Sequence, residues 1–260
     1  MKVVKIVKNG TFYKIKTDDG NNYVIHDTVA YSFGLNKKNI EITHDKFNMA
    51  LKANIPYEAF HKALKYLNNS KSKAEVKKYL SNFYELSVVE ETIEKLEKLK
   101  FIDDLKYAEL TVGVLSRKGF GKYQIIEKLK EKKISDEFIE IALEEYSEED
   151  ELINCEKLLL KYLQTVKNES RMSLRKKVVS YLSQKGFSNV IITTTIEKNS
   201  EKLDNIIDED ENLAKAYQKL LRSKSKVEDE KKFKNKVIRS LGSKGFPLYK
   251  ILKLLEVDYD

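Results

Sequence analysis

The sequence predicts a mainly α-helical protein, an elongated tandem array of three-helix repeats preceded by a small N-terminal β-hairpin element. Three observations predict it. Charged residues make up 35% of the 260 residues, against about 25% in ordinary globular proteins, which suits thin helical layers with much solvated surface. Only 2 Pro and 9 Gly occur, so long helices are allowed. A short aliphatic pattern also recurs in four places along the chain.

The first element is a predicted hairpin. Asn9 and Gly10 separate two runs rich in β-branched and aromatic residues, 3–8 and 11–16. An Asn-Gly pair between such runs is the strongest short hairpin signal, because a type I′ turn needs positive φ at both central positions. We therefore expect a type I′ turn centred on these two residues.

A third strand and a short helix should complete this element. Asp19 and Gly20 offer a second turn before a short β-rich run at 23–25. Asp27 is placed to cap a helix through its side chain, and Gly34 is placed to close that helix. Three strands are marginally stable alone, so we expect this sheet to pack on the helices that follow.

The repeat is carried by a branched aliphatic residue four positions before a leucine. The spacing puts both side chains on one helix face, which predicts the buried side of a middle helix in each unit. The pairs are Val76 with Leu80, Ile125 with Leu129, Val178 with Leu182, and Val237 with Leu241. We divide the chain into an N-terminal β element with a short helix at 1–45 and three-helix repeats at 46–102, 103–147, 148–200 and 201–260. Stacked repeats would bury one continuous core.

Capping residues mark the expected helix starts, because a Ser side chain accepts from the first free backbone amides and a Glu three residues later can reciprocate. A proline suits the first turn of a helix. The predicted caps are Ser72 with Glu75, Ser87 with Glu90, Ser135, Ser188, and Pro247 in the last helix.

The sequence offers few candidate catalytic residues, and we expect that the protein is not an enzyme. The three histidines, His26, His44 and His61, do not stand at metal-ligand spacing. Cys155 lies in an amphipathic helical pattern and is expected to be a buried structural thiol. We therefore predict no catalytic residue, no metal site and no cofactor. With no apolar run of about 18 residues and no signal-peptide pattern, we expect a cytoplasmic protein that does not enter a membrane.

Charge is sorted along the chain. Residues 136–151 hold acids and no Lys or Arg, whereas 161–185 and 222–250 are mainly basic. Stacked middle helices would align a basic stripe, which is the footprint of a nucleic acid or of a polyanionic protein–DNA filament. The plainer alternative is that these lysines, in a chain of net charge +8, only keep the protein surface hydrated and bind no partner. The predicted stripe consists of Arg117, Lys118, Lys122, Lys130, Lys132, Lys133, Arg171, Arg175 and Lys176.

Three segments carry a family resemblance. Residues 63–67 read Ala-Leu-Lys-Tyr-Leu, residues 71–80 read Lys-Ser-Lys-Ala-Glu-Val-Lys-Lys-Tyr-Leu, and residues 101–109 read Phe-Ile-Asp-Asp-Leu-Lys-Tyr-Ala-Glu. Together they resemble the RecX family of regulatory proteins, in its longer Gram-positive form. The resemblance covers essentially the whole chain and is strongest over 63–143. The shorter members have three three-helix units, whereas four are counted here.

The resemblance implies a non-enzymatic regulator. It implies binding to RecA and to RecA–single-stranded DNA filaments, and inhibition or modulation of the recombinase, the ATPase and the coprotease activity that triggers the SOS response. Docking in the filament groove is the implied mode, by a monomer with weak direct DNA contact. The alternative is a basic helical-repeat protein that binds DNA or RNA directly, without RecA.

Overall fold

The structure is a computed structural model that describes residues 1–223 and 229–257. It is mainly helical, with one small antiparallel sheet at the N-terminus, which confirms the predicted fold class. The chain falls into two compact units. The first comprises Met1–Tyr107 and Lys132–Ile134, and the second comprises Ala108–Glu131 and the chain from Ser135 onward.

The first unit opens with a three-stranded sheet in the order β1-β2-β3. The strands are β1 Val3–Asn9, β2 Phe12–Thr17 and β3 Asn22–His26. The helices that follow are α1 Asp27–Ser32, α2 His44–Tyr66, α3 Lys73–Leu80, α4 Leu86–Lys98 and the start of α5, which spans Asp104–Arg117.

The turn of the first hairpin differs from the predicted one. Asn9 still pairs with Phe12 in the ladder, so the central residues are Gly10 and Thr11, and only Gly10 has a positive φ, of 60°. That pattern is typical of a type II′ turn, which needs glycine at its first central position only. The type I′ prediction was wrong by one residue, because Asn9 continues the strand.

The sheet packs its buried face against α1 and α2. Ile15, Ile25 and Phe47 are almost fully buried in this core. Asn54 of α2 also closes one edge of the sheet: its Oδ1 accepts from the His26 amide at 2.8 Å, and its Nδ2 donates to the Val24 carbonyl at 2.8 Å. The expected support of the sheet by the following helices is therefore present.

The second unit contains only helices among its described residues. After the remainder of α5 come α6 Lys122–Glu131, α7 Asp136–Leu143, α8 Glu148–Leu163, α9 Arg171–Gln184, α10 Asn189–Lys198, α11 Ser200–Asn205, α12 Glu209–Arg222, α13 Glu230–Ser243 and α14 Leu248–Val257. The short α11 was not anticipated by the repeat.

The predicted middle helices are α3, α6, α9 and α13, and their registers are confirmed. Every residue of the four aliphatic–leucine pairs has 0% of its surface exposed. Their equal burial shows that the i, i+4 spacing marks the same face of each helix. The division into the segments 1–45, 46–102, 103–147, 148–200 and 201–260 is retained as our proposal.

Three predicted caps are present. Ser72 and Glu75 form a complete capping box at the start of α3. Ser135 accepts from the Phe138 amide at the start of α7, and Ser188 accepts from the Ile191 amide at the start of α10.

Three other caps were misplaced. The helix α4 begins at Leu86 with Glu85 as its N-cap residue and no side-chain cap, so Ser87 lies inside the first turn and forms no box. His26, one residue before Asp27, is the N-cap of α1. Pro247 precedes α14, and its carbonyl accepts from the Ile251 amide at 3.1 Å. The offset from the predicted residue is one position at α1 and at α14 and two positions at α4, which is within the usual uncertainty of helix boundaries.

Candidate functional site

In three middle helices the first backbone amide is bonded by a carboxylate from a helix two or three elements later in the chain. The acids stand at or near the starts of α5, α8 and α12 and accept from the first backbone amide of the middle helix before them. The three bonds join the Lys73 amide to Asp104 Oδ1 at 2.8 Å, the Lys122 amide to Glu151 Oε1 at 2.9 Å, and the Arg171 amide to Glu209 Oε1 at 3.2 Å. A negative charge at this end of a helix also interacts favourably with its dipole.

A second contact repeats at the same three positions. The residue just before each middle helix donates to a backbone carbonyl in the turn that follows the next middle helix. The bonds join Ser72 Oγ to the Lys132 carbonyl at 2.9 Å, the Gly121 amide to the Lys185 carbonyl at 2.8 Å, and Ser170 Oγ to the Lys244 carbonyl at 2.8 Å. In each turn the next residue, Lys133, Gly186 or Gly245, has a positive φ.

The contact between Gly121 and Gly186 is the closest of these. A Cβ built on Gly121 would lie 2.4 Å from the Gly186 carbonyl carbon, and a Cβ built on Gly186 would lie 2.3 Å from the Gln124 amide nitrogen. Backbone therefore meets backbone, and neither position has room for a side chain.

These bonds decide where an anion can bind. Free amides at a helix N-terminus would be a natural phosphate site. In α3, α6 and α9 the first amide already has a protein acceptor. A polyanion would therefore be held by basic side chains rather than by these helix ends.

Three residues of the predicted basic stripe are in ion pairs. Lys130 Nζ lies 2.8 Å from Asp136, Lys132 Nζ lies 2.7 Å from Glu75, and Arg175 Nη2 lies 3.2 Å from Asp204. The hydrogen bond that Lys132 donates to the Glu75 carboxylate raises the pKa of Lys132 above its usual value. All three pairs are at least partly exposed, so each contributes little to stability and its cation can exchange partners.

Three more residues of the stripe are engaged in other ways. The Arg117 guanidinium lies along its own helix, 3.5 Å from the position of a Cβ on Gly113. Lys122 Nζ lies 5.8 Å from the centre of the Tyr146 ring. Arg171 is exposed, and its amide is the one that donates to Glu209.

Lys118, Lys133 and Lys176 are exposed and have no ion pair with any residue in the described part of the chain. Lys132 and Lys133 belong to the first unit, and the other seven residues of the stripe belong to the second. The stripe as one continuous binding surface stays a prediction.

A second basic group was missed. A cleft of about 550 Å³ in the second unit is lined by side chains from α9, α12 and the turn after α13. Its basic residues are Lys177, Lys215, Lys219 and Lys244. The i, i+4 spacing of Lys215 and Lys219 was a usable signal, because it puts both on one face of α12. Their meeting with Lys177 and Lys244 is a tertiary contact without a local pattern.

Within 1–223 and 229–257 no three His, Cys, Asp or Glu side chains come together as a metal site would require. Cys155 is fully buried, and burial raises the pKa of its thiol to about 11, so it stays protonated. No helix in this part of the chain is long and apolar enough to cross a membrane.

Comparison with known proteins agrees with this architecture. A family model described as the second three-helix domain of RecX matches residues 103–143, and one described as the third three-helix domain of RecX matches residues 208–255. The chain is 29% identical over 242 residues to the regulatory protein RecX of Listeria monocytogenes serotype 4b (strain CLIP80459), covering 92% of this chain and 89% of the relative. The chain belongs to the RecX family.

Other RecX proteins are similar over a comparable length. The regulatory protein RecX of Leuconostoc mesenteroides is 29% identical over 254 residues, covering 94% of this chain and 91% of the relative. A crystal structure of regulatory protein RecX has a TM-score of 0.61 at 25% identity and covers 75% of this chain and 98% of its own. The structure of RecX from Lactobacillus salivarius has a TM-score of 0.53 at 29% identity, covering 56% and 97%.

Several helices lie between the two segments that match RecX domains. Residues 103–143 contain α5 to α7, and residues 208–255 contain α12, α13 and most of α14. Between them lie α8 to α11. The predicted repeat at 148–200 therefore falls between the segments that match the second and third RecX domains.

Proposed function

We propose that this RecX-family chain binds RecA and RecA–single-stranded DNA filaments, and that it inhibits strand exchange, ATP hydrolysis and the coprotease activity that triggers the SOS response. The observation that carries the proposal is the likeness to regulatory RecX proteins over 92% of the chain. The protein acts as a binder in this proposal and supplies no catalytic group.

Docking in the groove of the filament is the proposed mode. Net charge of +8 favours approach to a filament that contains DNA phosphates. Lys118 and Lys176 are exposed without an ion pair in the described residues, and the exposed pair of Arg175 with Asp204 is weak enough to open. These cations support contact with phosphate or with acidic groups of the filament.

The test is an ATPase assay with cognate RecA on circular single-stranded DNA, with this protein titrated well below one chain per RecA monomer. We expect strong inhibition at such ratios, because one chain docked in a groove would affect several RecA subunits. Full ATPase activity at a one-to-one ratio, with the protein folded by circular dichroism, would contradict the proposal.

Direct binding to DNA or RNA without RecA is the second candidate, and the unpaired lysines favour it. Salt separates the two. Phosphate contacts on single strands give a log–log slope of about −0.7 per contact. We expect a shallower slope on RecA filaments than on bare single-stranded DNA, because protein contacts share the binding energy. Equal slopes on both would favour the second candidate.

A further inference from the structure

We propose that the cleft lined by α9, α12 and the turn after α13 is a phosphate-binding site for the phosphodiester backbone of single-stranded DNA. This deepens the proposed function by naming the polyanion and its site, and it rests on that function only for the claim that the DNA is part of a filament. Binding by the isolated protein tests the cleft itself.

The cleft has the size and the lining of an anion site. At about 550 Å³ it lies within the usual range for small-ligand pockets. Four lysines line it, and Glu169 is the one carboxylate among its described lining residues. The remaining lining is mainly small and polar, including Asn168 and Ser173.

The Glu169 carboxylate is already satisfied. It accepts from the Lys177 ammonium and, at 2.7 Å, from Ser173 Oγ. Burial acts to raise the pKa of Glu169, but these two hydrogen bonds outweigh it and hold the pKa below its usual value. Glu169 therefore stays ionised and is fully used by its own neighbours.

The remaining charge is positive. Lys215 pairs with Glu211 one helical turn away, at 2.7 Å. Lys219 and Lys244 are exposed, and neither has an ion pair with a residue in the described ranges. Two ammonium groups thus border a concave surface whose one described carboxylate, Glu169, is already bonded to Lys177 and Ser173.

An internal comparison distinguishes this junction from the one before it. Glu169 precedes Ser170, and Phe120 precedes Gly121, where Ser170 and Gly121 make equivalent bonds to the Lys244 and Lys185 carbonyls. At the earlier junction Lys185 Nζ lies 5.6 Å from the centre of the Phe120 ring. An aromatic side chain therefore meets that lysine, whereas Lys244 faces an open cleft.

Phosphate fits this lining better than an acidic protein surface does. Lysine is depleted at protein–protein interfaces, and its ammonium is a compact point charge of the kind that commonly binds phosphate. Its described lining residues also include no arginine, which could bind a carboxylate with two parallel hydrogen bonds. An acidic peptide is therefore the less favoured ligand, and competition by poly-glutamate would detect it.

The first experiment measures binding of a fluorescein-labelled oligothymidylate at several salt concentrations. The variants are Lys219→Gln, Lys244→Gln and their combination. Both substitutions keep the Lys244 carbonyl that accepts from Ser170. The matched control is Lys198→Gln, an exposed lysine of the same unit away from the cleft. We expect the double variant to reduce the magnitude of the log–log slope by about 1.4, at about 0.7 per lost contact. An unchanged slope, or an equal change in the control, overturns the proposal.

The second experiment separates shape from charge. Glu169→Phe copies the residue of the earlier junction and also makes the protein more positive. We expect weaker oligothymidylate binding, because the ring fills the cleft. Stronger binding would show that only net charge matters and would overturn the proposal. If Glu169→Phe does not fold by circular dichroism, Ala216→Leu fills the same cleft from α12 and is read in the same way.

Three further probes identify the ligand. A methylphosphonate oligothymidylate, which lacks the charge, should not bind, and its full binding overturns the proposal. Inorganic phosphate should compete with oligothymidylate for the native protein but not for the double variant. That result would show that the cleft binds the phosphate group, whether it is free or part of DNA, and would support the proposal. Poly-glutamate competing as well as oligothymidylate overturns the proposal in favour of an acidic peptide. RecA inhibition by the unsubstituted protein is measured separately. If that protein does not inhibit RecA but its salt dependence of oligothymidylate binding is as expected, the proposed function is contradicted and the DNA-binding cleft is still supported.

Discussion

The Gly121 amide donates a 2.8 Å hydrogen bond to the carbonyl of Lys185, and this bond joins the start of α6 to the turn after α9. The same relationship links Ser72 with Lys132 and Ser170 with Lys244. In each case a backbone amide or a serine hydroxyl just before one middle helix donates to a backbone carbonyl in a later turn. Only at Gly121 do two backbone groups meet, and this packing should be sensitive to a single added methyl group.

We predict that Gly121→Ala destabilises the protein by about 1–3 kcal/mol, the usual cost of forcing atoms into a packed site. The new Cβ would lie 2.4 Å from Gly186 backbone atoms, which cannot move as a side-chain end could. The matched control is Gly242→Ala in α13, where a Cβ meets nothing within 4 Å and helix propensity favours alanine by about 0.5–1 kcal/mol. Urea unfolding measures both, and equal stability of the two variants would refute the close junction.

Leu129→Ala should cost about 2–5 kcal/mol, because Leu129 is fully buried at the anchoring position of α6. The control is Leu110→Ala on α5, whose side chain is 54% exposed and whose loss should change stability by no more than about 0.5 kcal/mol. Thermal and urea unfolding give both values. A loss below about 1 kcal/mol at Leu129 would mean that the repeat register is wrong.

Glu151 gives a pH-dependent prediction. Burial raises the pKa of this carboxyl above its usual value, so the folded state binds a proton more tightly than the unfolded state does. The free energy of unfolding of the native protein, relative to Glu151→Gln, should therefore fall as the pH rises through the window just above the ordinary glutamate pKa of about 4.3. Glutamine keeps an acceptor for the Lys122 amide. Unfolding measured between acidic and neutral pH tests this, and a difference that grows with pH would contradict it.

Reversal of Arg117, Lys118 and Lys122 to Glu together should weaken inhibition of RecA about tenfold or more, equivalent to about 1.4 kcal/mol of binding. The readout is the inhibitor concentration that halves the ATPase rate, with helicity and melting temperature measured in parallel. Reversal of Lys157, Lys161 and Lys198, which lie outside the predicted stripe, is the matched control. Unchanged inhibition in the first variant would move the site to Arg171, Arg175 and Lys176.

The sequence predicted the features that depend on neighbours a few residues apart. The i, i+4 pairs located the buried face of each middle helix, as the full burial of Val178 and Leu182 shows. The capping box at Ser72 was equally local. Boundaries were less certain, because α4 begins after Glu85 without any side-chain cap, although Ser87 two residues later is a preferred capping residue.

The junction bonds and the basic cleft could not be predicted, because they join residues that are far apart in the sequence. Ser72 and Lys132 are 60 residues apart, and Ser170 and Lys244 are 74 apart. No periodicity connects such residues, so neither the junctions nor the cleft could be predicted. The stripe had the same difficulty: Lys132 looked like a free cation in the sequence, but it is paired with Glu75, 57 residues earlier.

The carboxylate bonds at the junctions point one way along the chain. Removal of α12 would take Glu209 from the Arg171 amide and strand a donor that α9 cannot satisfy alone. Removal of α3 would release Asp104 from its bond to the Lys73 amide, and it would also expose the core that Val76 and Leu80 fill. Each junction bond is therefore lost whichever of its two helices is removed. A truncated chain should be judged by which junction bonds and which buried anchors it keeps.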